Sequence, residues 1–318
     1  MTSGLARYIA RRSLHSALLV LLITVLSFSI MRLAPGGPAQ FLDDPRIGPE
    51  HRELLLESFG LKDPLPVQYA KWLWNVVRLD FGYSFIDRRP VIEKIAERVP
   101  ATFQLSLTSF ALGLLGIPLG VYAATRRGRW QDQTIRLFTV FGNAVPHWWL
   151  GLMLLVLSAS TIRIFPLGGM YTVGDGSLPD RLWHLALPAL VGALGGWIGF
   201  SRFVRSEMLE VLGQDYIRSA RAKGLSARLV LFRHALRNAL IPLITILGSS
   251  LAGLLSGGVL FETTFSWPGL GRMSVDAAYQ RDFPVLMALT VIFSFLIILG
   301  NLIADVSYGL ADPRVRYE

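Results

Sequence analysis

Residues Glu207 to Thr245 read EMLEVLGQDYIRSARAKGLSARLVLFRHALRNALIPLIT. The run is basic and helix-forming, yet strongly apolar stretches flank it on both sides. Asp215 is placed to cap a short helix through Tyr216, Ile217, Ala220 and Arg221. Gly224 suits the stop, where a left-handed residue is needed. Ser226 can cap a second helix carrying Leu229, Phe232 and Leu236 on one face. Pro242 falls where that helix becomes the next apolar stretch. The chain thus leaves a membrane, forms a short helix, turns at a glycine and returns. Ala220, Ala222 and Gly224 are small enough for a partner's backbone to approach closely. Arg218, Arg221, Lys223 and Arg228 suit anionic groups on that partner or on lipid. The plainer alternative is a positive-inside loop whose charges are simply solvated.

The rest of the composition agrees with a membrane setting. At 52% hydrophobic, the 318 residues are too apolar for a soluble domain. The net charge of +9 lies largely in short loops beside apolar runs, with no aromatic-basic patch, which argues against nucleic acid. Without cysteine there are no disulfides, thiol nucleophiles or iron–sulfur sites. No Gly-x-x-x-x-Gly-Lys-Ser/Thr, His-Glu-x-x-His or Gly-x-Ser-x-Gly occurs. His15, His51, His147, His184 and His234 are scattered. No catalytic residue and no metal site are therefore assigned.

Six apolar spans with both ends in the cytoplasm are expected. Residues 1–12 form a basic cytoplasmic start, and 13–33 a first helix that is uncleaved despite its signal-like pattern. Residues 34–100 form a charge-balanced extracytoplasmic segment. Within it, Pro49 opens a helix that stops at Gly60. Val67 to Leu79 carries enough aromatic surface to lie on a membrane or pack on the spans, and Val91 to Val99 is amphipathic. A five-helix core, 101–308, contains the cytoplasmic loop 204–238, and 309–318 is a cytoplasmic tail with Arg314 and Arg316. The core spans read Ala101–Ala124, Ile135–Ser160 broken by Pro146, Trp183–Phe203, Ala239–Leu260 and Val285–Tyr308. Arg163 and the turn residues after it end the second of these outside. Gly116 and Gly120 suit close helix packing. Gly253 and Gly257 belong to the glycine- and serine-rich fifth span.

Charges are nearly absent from span interiors; Arg32, Arg136 and Asp305 fall near span ends. A proton- or sodium-coupled carrier needs buried ionisable groups, so a secondary carrier is the weaker reading. Gln104, Asn143, Ser249, Ser250 and Ser256 either bond neighbouring helices or line a water-filled path. Between Phe261 and Phe283 an outer turn offers Trp267, Asp276, Arg281 and Asp282 to a docking receptor.

ARAKGL followed by HALRNALIPLIT resembles the coupling loop of ABC-importer permeases. MRLAPGGPA, FGLKDPLPVQYAKWL, RRPVIEKIAERVPATFQLSL, FETTFSWPGLGR and RDFPVLMALTVIFSFLIILGNLIADVSYGLADPRVRY resemble the peptide-importer branch, and the long outer segment its B-type member. The resemblance covers nearly the whole chain. It implies an all-α integral membrane protein, a six-helix type I importer permease. Asp215, Tyr216, Ile217, Ala220, Arg221, Ala222, Lys223 and Gly224 would then form the helix that docks on an ATPase. The implied partners are a C-type second permease, two ATP-binding subunits or domains, an extracytoplasmic binding protein and membrane lipid. ATP and magnesium would be bound by the partners and no cofactor by this chain. The implied location is the bacterial or archaeal cytoplasmic membrane. The implied cargo is di- or oligopeptide, with nickel and glutathione as alternatives in the same family. Leu79-Asp80-Phe81-Gly82 departs from the family's usual Gly-Asp-Leu-Gly, which puts the local backbone there in question.

Overall fold

The computed structural model describes residues 2–33, 63–162, 164–252, 254 and 258–311. Outside the described residues lie 34–62 of the outer segment, including the expected Pro49–Gly60 helix. So do Arg163, Gly253, Ser256, Gly257, Arg314 and Arg316. Among the described residues the chain is helical, and its one extended pairing is an isolated bridge between Tyr83 and Pro90.

Two compact units are present. The first comprises Met1–Pro100 and Gly269–Glu318. Its elements are α1 (Thr2–Leu33), α2 (Leu65–Val77) and the first turns of α3 (Val91–Gly113), then α12 (Leu270–Gln280) and α13 (Phe283–Ala311). Helix α1 begins at Thr2 rather than after the basic cluster, and its apolar candidate span is Ile9–Ile30. It packs along α13. Helix α2 docks on α1, where Tyr69 shares a hydrogen bond of 2.8 Å with Thr24 and Phe28 meets the Tyr69 and Trp72 rings. Of the two options the sequence leaves open for this stretch, packing on a span is the one adopted. A buried cluster of Val76, Phe81, Val91, Ile95, Leu270, Val285 and Leu289 ties α2, α3, α12 and α13 together. That cluster is why 269–318 sorts with the N-terminal segment and the expected 101–308 core is divided.

The second unit is Ala101–Pro268. It holds the rest of α3, then α4 (Gly116–Thr125), α5 (Trp130–Ala144), α6 (His147–Leu157) and α7 (Leu178–Leu212). After these come α8 (Asp215–Ala222), α9 (Ala227–Ala239), α10 (Ile241–Ala252) and α11 (Val259–Thr264). The boundaries differ from the sequence expectation in instructive ways. Helix α3 starts ten residues early because Val91, Ile95, Ala101 and Leu105 continue one buried face through Pro100. It breaks at Leu114 and Leu115 because Pro118 has no N–H for the Leu114 carbonyl. Pro146 bends α5 against α6 by 90°. Helix α7 has 35 residues, so at ~1.5 Å each it is longer than a bilayer core is thick. The outer segment after Leu260 is largely helical, α11 and α12, rather than one long turn.

Glycine sets the spacing of α4 and α7. A Cβ at Gly116 would lie 2.6 Å from the Gly196 carbonyl oxygen, and one at Gly120 would lie 2.5 Å from that of Ser201. The pair does what its spacing predicts, bringing two backbones into contact. Among the described residues, four helical stretches are long and apolar enough to cross a membrane, and up to six if each bent pair counts as one span.

Candidate coupling surface and transport path

Helix α7 ends at Gly213, whose N–H bonds the Glu210 carbonyl. Gln214 then turns extended (φ −71°, ψ 149°) and is the residue that precedes α8. Asp215 therefore stands in the first turn rather than at the cap. Its carboxylate is 3.3 Å from Arg218 in a solvent-exposed pair, still favourably placed near the positive end of the helix dipole.

Helix α8 has two faces. Ile217 and Ala220, three residues apart, are buried with Val204, Met208, Val230 and Ala235. Burying an isoleucine side chain contributes on the order of 2 kcal/mol. Tyr216 is half-exposed, and its hydroxyl accepts a 2.9 Å hydrogen bond from Asn238 on α9. Arg218, Ser219, Arg221, Ala222 and Lys223 stay exposed. Thus Ala220 is small to fit its own core, and Ala222 and Gly224 alone of the three small residues face outward.

The end of α8 is a complete glycine turn. Gly224 adopts φ +77°, the Gly224 N–H bonds the Arg221 carbonyl and the Leu225 N–H bonds the Ala220 carbonyl. These are the two bonds of a left-handed helix stop. An added Cβ at Gly224 would meet nothing within 4 Å. The backbone, not crowding inside this chain, demands glycine. Ser226 caps α9 by accepting from the Leu229 N–H at 3.4 Å.

Helix α9 corrects the expected apolar face. Over Val230–Leu236 it takes the wider π form. Val230, Ala235 and Ala239 are buried, spaced five and four apart, while Leu229 and Phe232 are exposed. The extra residue per turn rephases the buried stripe away from the Leu229–Phe232–Leu236 pattern. A 46° bend follows, with Pro242 in the first turn of α10.

Sequence reasoning missed one feature beside this surface. Asp132, at the start of α5, is almost fully buried and receives Arg205 from α7 in two parallel hydrogen bonds, 2.6 Å from Nε and 3.0 Å from Nη2. It also accepts from the Gly128 N–H at 3.0 Å. The two residues are 73 positions apart, and nothing in the linear pattern pairs them.

The expected path residues separate. Ser250 lines a cavity of about 320 Å³ with Ser109, Phe110, Gly192, Gly196 and Phe200, though its hydroxyl donates to the Ile246 carbonyl at 2.8 Å. Gln104 is half-buried and Asn143 exposed, and neither lines that cavity. Ser249 lies on α10, and Ser256 is outside the described residues.

The expected receptor contacts separate too. Trp267 is fully buried, packed with Leu105, Leu185 and Ala189, and its indole N–H donates to the Ala101 carbonyl at 2.8 Å. It is a core anchor, not a surface contact, because its ring fills the space among Leu105, Leu185 and Ala189 and its N–H is taken up by Ala101. Asp282 is buried as well, accepting from the Ser84 hydroxyl and, at 3.0 Å, from the Phe85 N–H. Lys94 lies 3.9 Å from Asp282 and 2.7 Å from Asp87. The Lys94 ammonium holds the Asp87 carboxyl down to about 2. Asp276 and Arg281 are exposed, Asp276 within 3.8 Å of Arg272. Nearby, Leu79, which the resemblance marked as a departure from an expected glycine, adopts φ +61°. Among the described residues no three His, Asp or Glu side chains gather as a metal site.

Among the described residues the chain is nearly all helical, with several helices long and apolar enough to cross a membrane and one short polar helix packed by one face and exposed on the other, which is the build of an integral membrane protein. Comparison with known proteins agrees. The family described as "Binding-protein-dependent transport system inner membrane component" matches residues 116–317, and its N-terminal counterpart matches residues 5–108. The chain belongs to this family. It is a permease subunit of a multi-pass inner-membrane importer that works with partner subunits, and not itself an enzyme. Its relatives include the oligopeptide transport system permease protein AppB of Bacillus subtilis, 47% identical over 98% of this chain and 100% of that one. A putative peptide transport system permease protein of Brucella abortus is 40% identical over 98% and 99%. The dipeptide transport system permease protein DppB of Escherichia coli K12 is 38% identical over 93% and 94%.

Proposed function

We propose that this chain forms half of the translocation path of an ATP-driven importer for di- or oligopeptides. A second, C-type permease completes the path, two ATP-binding subunits or domains drive it, and an extracytoplasmic binding protein delivers the cargo. Both termini lie in the cytoplasm, as the arginines of the short loops favour. ATP and magnesium stay with the partners.

The observation that carries the coupling role is the divided face of α8. Its inner face is fixed by Ile217 and Ala220, while Arg221, Ala222, Lys223 and Gly224 are held outward. An ATPase groove that meets this outer face has a rigid contact, and a contact that differs between two states is what coupling requires. The peptide class is supported by the names of the full-length relatives.

The test is reconstitution of the complete system with di- and tetrapeptides, nickel and glutathione as competing cargoes. Peptide-stimulated ATP hydrolysis and peptide uptake are expected, with no hydrolysis by this chain alone. Stimulation by nickel or glutathione but by no peptide would reject the cargo assignment.

A further inference from the structure

Beyond the coupling role, we propose that the unit Ala101–Pro268 carries a binding site for an anionic phospholipid beside α8. A cavity of about 640 Å³ opens where α4, α7, α8 and α9 meet. Arg127, Arg221 and Arg228 line it, and no carboxylate does. Among the described residues none of the three guanidinium groups has an ion-pair partner. Asp215 is paired with Arg218 and Asp132 with Arg205, while Glu207 and Glu210 of α7 are not among the residues that line the cavity.

The rest of the lining is apolar. Leu212, Leu231 and Phe232 stand among it, and Phe232 is exposed on a helix otherwise rich in arginine. Three fixed positive charges beside bare hydrocarbon match an anion with an attached chain. The volume sits within the ~300–1,000 Å³ typical of small-molecule sites and exceeds what one carboxylate side chain fills. The cavity also lies at the polar end of the candidate span Val91–Thr125, the level at which lipid headgroups sit. A phosphate diester would take the guanidinium forks, which suit its oxygens. The glycerol and first methylenes would cover Leu212 and Phe232. Because Arg221 belongs to α8, an occupied cavity would steady the end of that helix; this consequence rests on the coupling reading, whereas the binding itself does not.

The test uses the purified full chain in detergent, titrated with phosphatidylglycerol and with phosphatidylcholine of the same acyl length and read by native mass spectrometry. Phosphatidylglycerol is expected to bind at least ~10-fold more tightly, and R127Q/R228Q to lose most of that preference. R127K/R228K, which keeps the charges but loses the forks, is expected to show a reduced preference, and serves if the glutamine variant does not fold, a preference unchanged in it counting equally against the proposal. Equal retention of the two lipids, or a preference unchanged in a folded R127Q/R228Q, overturns the proposal. So does displacement by millimolar glycerol 3-phosphate, which would make the cavity a simple anion site. Complete displacement by the ATPase subunit at equimolar ratio would make it a protein-docking face and equally overturn it. Loss of lipid binding with intact peptide-stimulated ATP hydrolysis leaves the transport assignment standing, so the two readings fail separately.

Discussion

Replacing Gly224 in a graded series separates two reasons for a glycine that are usually confounded. Inside this chain the only demand is conformational, since φ is +77° and an added Cβ would have nothing within 4 Å. A left-handed backbone costs an ordinary residue on the order of 1–2 kcal/mol, less for Asn and Asp, which visit that region more readily. A penalty of ~1.4 kcal/mol shifts the local turn tenfold. Two turn hydrogen bonds and the burial of Ile217 oppose that shift, so α8 stays formed in each variant. Backbone strain alone therefore ranks Gly224→Ala as the most harmful, then Asp and Asn. An ATPase pressed against the open space ranks them by bulk and charge instead, with Asp worst and Ala mildest. The assay is uptake of a labelled tripeptide by cells carrying the complete system, beside recovery of the ATPase on the affinity-purified permease. The expected result is at least ~10-fold lower uptake for Gly224→Asp with normal membrane level and reduced ATPase recovery, and a clearly milder Gly224→Ala. If alanine proves as damaging as aspartate while the ATPase remains bound, the docking argument is wrong.

Other expectations follow from the same geometry. Arg205→Met should destabilise more than Asp132→Ala, because it strands a carboxylate that is 1% exposed whereas Arg205 can reach water. The costs are ~3–5 and ~1–3 kcal/mol, read as lowered thermal midpoints in detergent; the reverse order would refute the assignment of the buried charge. Leu79→Gly should raise the midpoint by the equivalent of about 0.5–1 kcal/mol, since glycine removes the positive-φ penalty and loses part of it to chain entropy. Gly120→Ala should lower stability by ~1–3 kcal/mol, with Gly199→Ala, whose added Cβ meets nothing within 4 Å, as the near-neutral control. The Asp87 carboxyl is lowered from 3.8 to about 2, so its contribution is fully present above about pH 4 and lost as pH falls towards 2. The gap in thermal midpoint between the natural chain and Asp87→Asn should close across that window, and a gap that persists at pH 2 would exclude the Lys94 pairing as its cause.

Local chemistry was legible in the sequence wherever it acts through neighbours in the chain. Gly224, Ser226, Pro146 and the Gly116–Gly120 pair do what their types and spacing imply, because a left-handed turn, a cap, a bend and a close approach are short-range demands. What was hidden depends on distant residues. Trp267 looked available because it stands beside Pro268 and Gly269 in a turn-rich run. Its burial is decided by Ala101, 166 positions away. Asp282 looked like a surface acid and is buried by Ser84 and Phe85. The apolar face of α9 was misphased because the π turn, which inserts one residue into the period, leaves no composition signal. The helical character of α11 and α12 was hidden by the close run of Pro268, Gly269 and Gly271, of which the first two fall between the helices and the last sits in the first turn of α12.

The glycine seam between α4 and α7 limits where this permease can flex. At Gly116 and Gly120 the α7 backbone comes so close that no side chain fits between the two helices, and at that level they behave as one plank. Sliding one past the other would drive Val204 and Trp197 into space that does not exist. Any opening within this unit has to find its pivots elsewhere, and the chain provides two joints already bent: the right-angled elbow at Pro146 and the shallower one ahead of Pro242.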